Sequence, residues 1–106
     1  MPSTWSGSVR LDVTGNGTLY VSPAGRWQVT RTTVRTNQAA TAVPIPRVDM
    51  YRSCVSDGSF LEGTYSGNLD ISDTAHSFDP GEQMLLVWSG GIAGTIASAT
   101  LAYSVV

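Results

Sequence analysis

The chain has 106 residues, a formal net charge of −2 and 13% charged residues. That balance excludes the basic face that nucleic-acid binding needs and the polybasic patch that an anionic membrane attracts. All six basic residues are arginines, and the single cysteine, Cys54, excludes an internal disulfide.

The length suits one domain spanning residues 1–106, whose folding buries about 65% of the surface exposed by the unfolded chain. The first four residues, Met1-Pro2-Ser3-Thr4, have neither a basic region nor an apolar run, so no export signal is expected. A chain that starts at Met1 and ends on a strand is expected to be a whole gene product.

The side-chain period is two nearly throughout. Trp5, Gly7, Val9, Leu11 and Val13 alternate with polar residues, which predicts a half-buried strand over residues 5–13. Asn16-Gly17 then predicts a tight hairpin turn, with a return strand over residues 18–21 paired antiparallel to the first. The same Asn16-Gly17-Thr18 matches a glycosylation sequon, but a turn accounts for it fully.

After a turn at Ser22-Pro23-Ala24-Gly25, residues 27–36 read as a β-branched strand. Trp27 and Val29 share one face, and Val34 falls on the other phase, so a bulge near Thr32-Thr33 is expected. Pro44 and Pro46 restrict Ile45 to an edge or a strand entry. A strand over residues 47–53 follows, with Val48 and Met50 inward.

Residues 54–58 read as a turn, 60–65 as a short strand and 66–77 as a polar loop. Asp79-Pro80-Gly81-Glu82 signals a turn before an apolar strand over residues 83–89. Both faces of that strand are apolar, so it is expected to be covered on both sides. A Gly90-Gly91 turn leads to the last strand, residues 95–106, with Ala97, Ala99, Leu101, Tyr103 and Val105 on one face.

Residues 84–106 carry no charge and are long enough to cross a bilayer. Three glycines and five hydroxyl residues within them, and no basic anchor after them, favour two strands instead. About seven or eight strands separated by turn signals predict an all-β protein, an antiparallel β-sandwich of jelly-roll or immunoglobulin-like type.

Catalytic chemistry finds little footing. His76, the single histidine, reads as an exposed loop residue, and no Gly-x-Ser-x-Gly elbow accompanies it. Nothing in the spacing pairs Glu62 or Glu82 with an aspartate for glycoside hydrolysis. Asn68, Asp70, Ser72 and Asp73 alternate loosely like a calcium loop, but the glycine and closing glutamate of an EF-hand are missing. No catalytic residue, cofactor or metal set is therefore expected.

Trp5, Trp27 and Trp88 share strand phases with aliphatic residues and read as core. Tyr20, Tyr51 and Tyr65 fall on polar phases or near turns, where tyrosine serves a protein interface or a sugar platform. With the forks of Arg35 and Arg47 they make the candidate contact set.

The second half carries Gly63-Thr64-Tyr65-Ser66-Gly67-Asn68-Leu69-Asp70, then Asp73, Pro80-Gly81-Glu82-Gln83-Met84, Val87-Trp88-Ser89-Gly90-Gly91 and Gly94 before a hydroxyl-rich final strand. The first half adds Gly25-Arg26-Trp27-Gln28-Val29 and Val48-Asp49-Met50-Tyr51-Arg52. Over residues 20–106 this pattern resembles small β-sandwich virion proteins of tailed phages, especially phages of actinobacteria. Arginine in place of lysine fits the GC-rich hosts of such phages.

The resemblance implies a capsid decoration or minor capsid protein that binds and stabilises assembled capsid or tail subunits. It also implies a homo-oligomer, with a trimer as first expectation, located in a virion assembled in the host cytoplasm. A carbohydrate-binding or host-recognition module of a phage tail, contacting a surface glycan, is the alternative. A hydrolase built on His76, a carboxylate and a serine is the third reading.

Overall fold

The computed structural model describes residues 3–106, so Met1 and Pro2, the start of the segment read for an export signal, lie outside the described residues. The described chain is all-β. Its strands are β1 (Ser3–Arg10), β2 (Gly17–Val21), β3 (Trp27–Thr36), β4 (Arg47–Arg52), β5 (Phe60–Thr64), β6 (Leu69–Ser72), β7 (His76–Phe78), β8 (Met84–Ser89) and β9 (Ile96–Val105). A single 3-10 turn, Asp57–Ser59, sits between β4 and β5.

Two sheets result, β1-β9-β3-β6 with β7 also on β3, and β2-β8-β4-β5. Every pairing is antiparallel. The ladders nest: β4 with β5 innermost, then β3 with β6, β2 with β8, and β1 with β9 outermost. Successive ladders fall in alternate sheets, as when a long hairpin is rolled onto itself. This strand order is that of a jelly roll, and it decides between the two expected topologies.

Alternation explains the core. Val21, Val29, Phe78, Met84, Leu86, Trp88, Ala97 and Leu101 are fully buried from the two facing sheets. Trp27 stacks on Tyr103 with ring centroids 3.8 Å apart. Trp27 and Trp88 are core residues as expected, and Trp5 packs half-buried against the cluster. Leu85, on the outer phase of β8, is also buried, so that strand is covered on both sides at this point.

Four expectations need correction. First, β1 and β2 do not pair; they lie in different sheets. Asn16 ends a loop that crosses between the sheets and Gly17 opens β2; the turn closes on itself through Asp12 and Asn16 and is tied to the loop between β8 and β9. Gly15, at φ 77, accepts the Gly91 N–H at 2.9 Å, and Asn16 Oδ1 accepts the Gly90 N–H at 2.9 Å. Val13, expected inward, stands 93% exposed at the loop tip because the strand stops at Arg10.

Second, the β3 bulge lies at Thr30, between the Val29 and Arg31 pairings, earlier than expected. It performs the expected task of bringing Val29 and Val34 to one face. Third, residues 66–77 are not all loop: they contain β6 and the start of β7, and these strands raise the total among the described residues to nine. Fourth, His76 is not an exposed loop residue; it lies on β7 with its side chain 9% exposed, where it hydrogen-bonds Glu62 of β5.

Residues 84–106 form β8, a turn and β9. Among the described residues, no helix is long and apolar enough to cross a membrane.

Candidate interaction surface

The two outer faces of the sandwich differ in chemistry. Strand register decides which residues share each face, because directly opposed residues point the same way. On the first sheet Ser6 opposes Thr100, Ser8 opposes Ser98, and Thr33 and Arg35 continue those rows. That face is rich in small hydroxyls and ends at Ile71 and Leu69 on the β6 edge.

The second sheet carries aromatics instead. Tyr20 of β2 opposes Leu85 of β8, Leu85 opposes Tyr51 of β4, and Tyr51 opposes Phe60 of β5. One row thus crosses all four strands of the sheet. Tyr20 is 58% exposed and Phe60 43%, while Leu85 between the tyrosines is only 5% exposed. Tyr51 and Phe60 meet edge-on, centroids 5.8 Å apart and planes inclined by 71°.

Phe60 reaches this face through a second bulge. Strict alternation would place it with Glu62, on the inward side. The β4–β5 register shifts between Met50 and Tyr51, so that Met50 opposes Glu62 and Tyr51 opposes Phe60. Leu61 is the extra residue, and it packs against the core. No local signal in the sequence marks this shift, which is why Phe60 escaped the sequence-derived contact set.

Further along the face, Arg47 Nε donates to Asp49 Oδ1 at 2.7 Å, and its guanidinium carbon lies 4.5 Å from the centre of the Tyr65 ring. The bond to Asp49 is the main reason the Arg47 pKa rises above its ordinary value. Gly63, opposite Asp49, leaves room for the pair: a Cβ there would lie 2.5 Å from Asp49 Oδ1 and 3.0 Å from an Arg47 guanidinium nitrogen. Tyr65 itself is 76% exposed.

Of the contact set read from the sequence, Tyr20, Tyr51, Tyr65 and Arg47 therefore gather on one face. Arg35 does not join them; it lies on the hydroxyl face of the other sheet, opposite Ser98 and Leu69.

The oxygen-rich stretch from Asn68 to Asp73 is a strand and its ends, not a calcium loop. Asp70 Oδ1 accepts the Ile71 N–H, and Asp73 pairs with Arg31 at 2.6 Å. Among the described residues, no group of three or more histidine, cysteine, aspartate or glutamate side chains comes together to hold a metal ion. His76 bonds the Glu62 carboxylate, and no serine hydroxyl bonds it among the described residues.

Comparison of the chain with protein-family models, curated proteins and solved structures finds no significant match. Fold and surface define it as an all-β sandwich with one aromatic and one hydroxyl-rich outer face.

Proposed function

We propose that the protein is a non-catalytic structural component of a tailed-phage virion, a capsid decoration or minor capsid protein that docks on assembled capsid or tail subunits. The observation carrying this reading is the aromatic row Tyr20–Leu85–Tyr51–Phe60 with the Arg47–Tyr65 pair beside it. Tyrosine, phenylalanine and arginine on a broad sheet face are the residues that concentrate binding energy at protein interfaces. Low charge and a jelly-roll topology, an architecture also used by capsid domains, agree with it.

Docking selectively on assembled subunits stabilises the assembly by mass action. Co-sedimentation with heads and tails of an actinobacterial tailed phage tests the reading. The wild-type chain is expected to pellet with particles, and the Tyr20→Ala/Tyr51→Ala pair to lose about tenfold or more in affinity. A chain that stays in the supernatant at every particle concentration ends the proposal. Sedimentation equilibrium tests the homo-oligomer and its trimeric first expectation.

The aromatic row also keeps the glycan-binding alternative in view, since exposed rings on one sheet face are what a sugar platform requires. The 71° inclination between Tyr51 and Phe60 suits a contoured protein partner better than the flat face of a sugar ring. A glycan array read with wild type and Tyr20→Ala separates the two.

A further inference from the structure

On the flank where β5 and β6 form the open edges of their sheets, a cleft of about 340 Å³ enters the sandwich. The crossover between those strands is tied to the core at one glycine. Gly67 donates its N–H to Pro46 O at 2.9 Å and accepts the indole N–H of buried Trp88 at 3.2 Å. The floor is apolar, made by Val34, Val48 and Met50, and the walls carry acids and hydroxyls.

Three carboxylates line the cleft, and two already have cationic or imidazole partners: Glu62 with His76 and Asp73 with Arg31. Asp70 has no such partner among the described residues. It opposes buried Val34 on β3 and so faces inward. Near it Thr32, only 2% exposed, lines the same cleft with a hydroxyl that finds no hydrogen-bond partner among the described residues. A buried hydroxyl left unpaired costs free energy that a donor from a ligand would offset.

We propose that this edge receives an extended segment of a partner protein, added as a further strand along β6, with one arginine entering the cleft. The free edge of β6 offers main-chain partners to such a strand. Its outer side chains, Leu69 and Ile71, are 61% and 54% exposed and call for apolar neighbours. Its inward Asp70 calls for a cation. The matching pattern is apolar–Arg–apolar, with the arginine stem on the aliphatic floor and its fork between Asp70 and Thr32.

A second copy of this chain fits poorly. The other free edge of the same sheet, β1, points Gly7 and Val9 inward and turns Arg10 outward. The inference is independent of the virion reading, which uses the outer face of the other sheet.

The test is a titration of the isotope-labelled full chain, followed by amide shifts. The probes are short capped peptides of alternating valine and threonine with a central arginine, or with glutamine in its place. The arginine peptide is expected to shift the amides of residues 69–72 and to bind about tenfold tighter than the glutamine peptide. Asp70→Asn keeps the oxygen that accepts the Ile71 N–H, and is expected to bring the two peptides level.

Thr32→Val, close in shape, is expected to raise the melting temperature of the free chain while weakening arginine-peptide binding. Equal binding of the two peptides, or shifts confined to the aromatic face, overturns the proposal. So does an unbound wild type whose Asp70→Asn variant self-associates, because Asp70 would then merely guard the edge.

Discussion

Cys54 lies exposed beside Ser59 and Ser56, whose hydroxyls approach its sulfur to 3.3 and 3.5 Å. The hydrogen bond with Ser59, and then that with Ser56, lowers the thiol pKa below its ordinary value because both favour the thiolate. The pH midpoint of iodoacetamide labelling is therefore expected to rise in Ser59→Ala. An unchanged midpoint would show that the serine does not act on the sulfur.

Asp12 shows the same logic in a carboxylate. Its Oδ1 accepts from the Thr14 hydroxyl at 2.6 Å and from the Asn16 and Thr14 N–H groups, and these bonds lower its pKa from 3.8. A folded pKa below the unfolded one stabilises the protein above about pH 4, and the contribution vanishes as pH falls through the folded value. Asp12→Asn is expected to lower the urea midpoint at neutral pH and to flatten its decline in acid. A parallel pH profile for the two chains would contradict this.

At the scale of the element, alternation made most strands readable. Residues 27–36, 47–53 and 83–89 nearly coincide with β3, β4 and β8, because each runs through the core with at least one apolar face. Partners were less legible. Asn16-Gly17 carries the local chemistry of a hairpin turn, yet the Asn16 side chain and the neighbouring Gly15 carbonyl are bound to Gly90 and Gly91, residues distant in sequence.

Gly15 marks that contact. It has φ 77, and a Cβ there would lie 2.0 Å from the Gly91 carbonyl oxygen. Gly15→Ala is expected to cost about 3 kcal/mol in chemical denaturation, from left-handed strain and displacement of the loop together. A loss under 1 kcal/mol would mean the two loops separate freely. The strands β6 and β7 escaped notice for another reason: they are short edge segments whose inward positions before Phe78, namely Asp70, Ser72 and His76, are polar and mimic a loop.

Across the whole molecule, His76 and Glu62 tie the two sheets at their open flank, β7 to β5, with side chains 9% and 23% exposed. Arg52 supports the same closure from β4, donating to the Ser77 carbonyl oxygen and lying 4.7 Å from the centre of the Phe78 ring. Glu62→Ala leaves the imidazole without its partner in a nearly closed site and is expected to destabilise the chain by about 1–3 kcal/mol. Equilibrium denaturation measures it; no loss would show that water replaces the carboxylate. The candidate surface was legible in part. Tyr20, Tyr51, Tyr65 and Arg47 stood out by phase, but sequence could not say that they share one side while Arg35 occupies the opposite one.

The order of pairing has a kinetic corollary. β9 lies between β1 and β3 and is the last of the described strands to be synthesised. During translation β1 therefore lacks its one sheet neighbour, and β3 one of its own, until β9 has left the ribosome. The earlier strands must wait with bare edges, and such distant pairings make for slow folding. Nascent chains stalled before residue 96 are expected to stay protease-sensitive, with protection arriving in one late step.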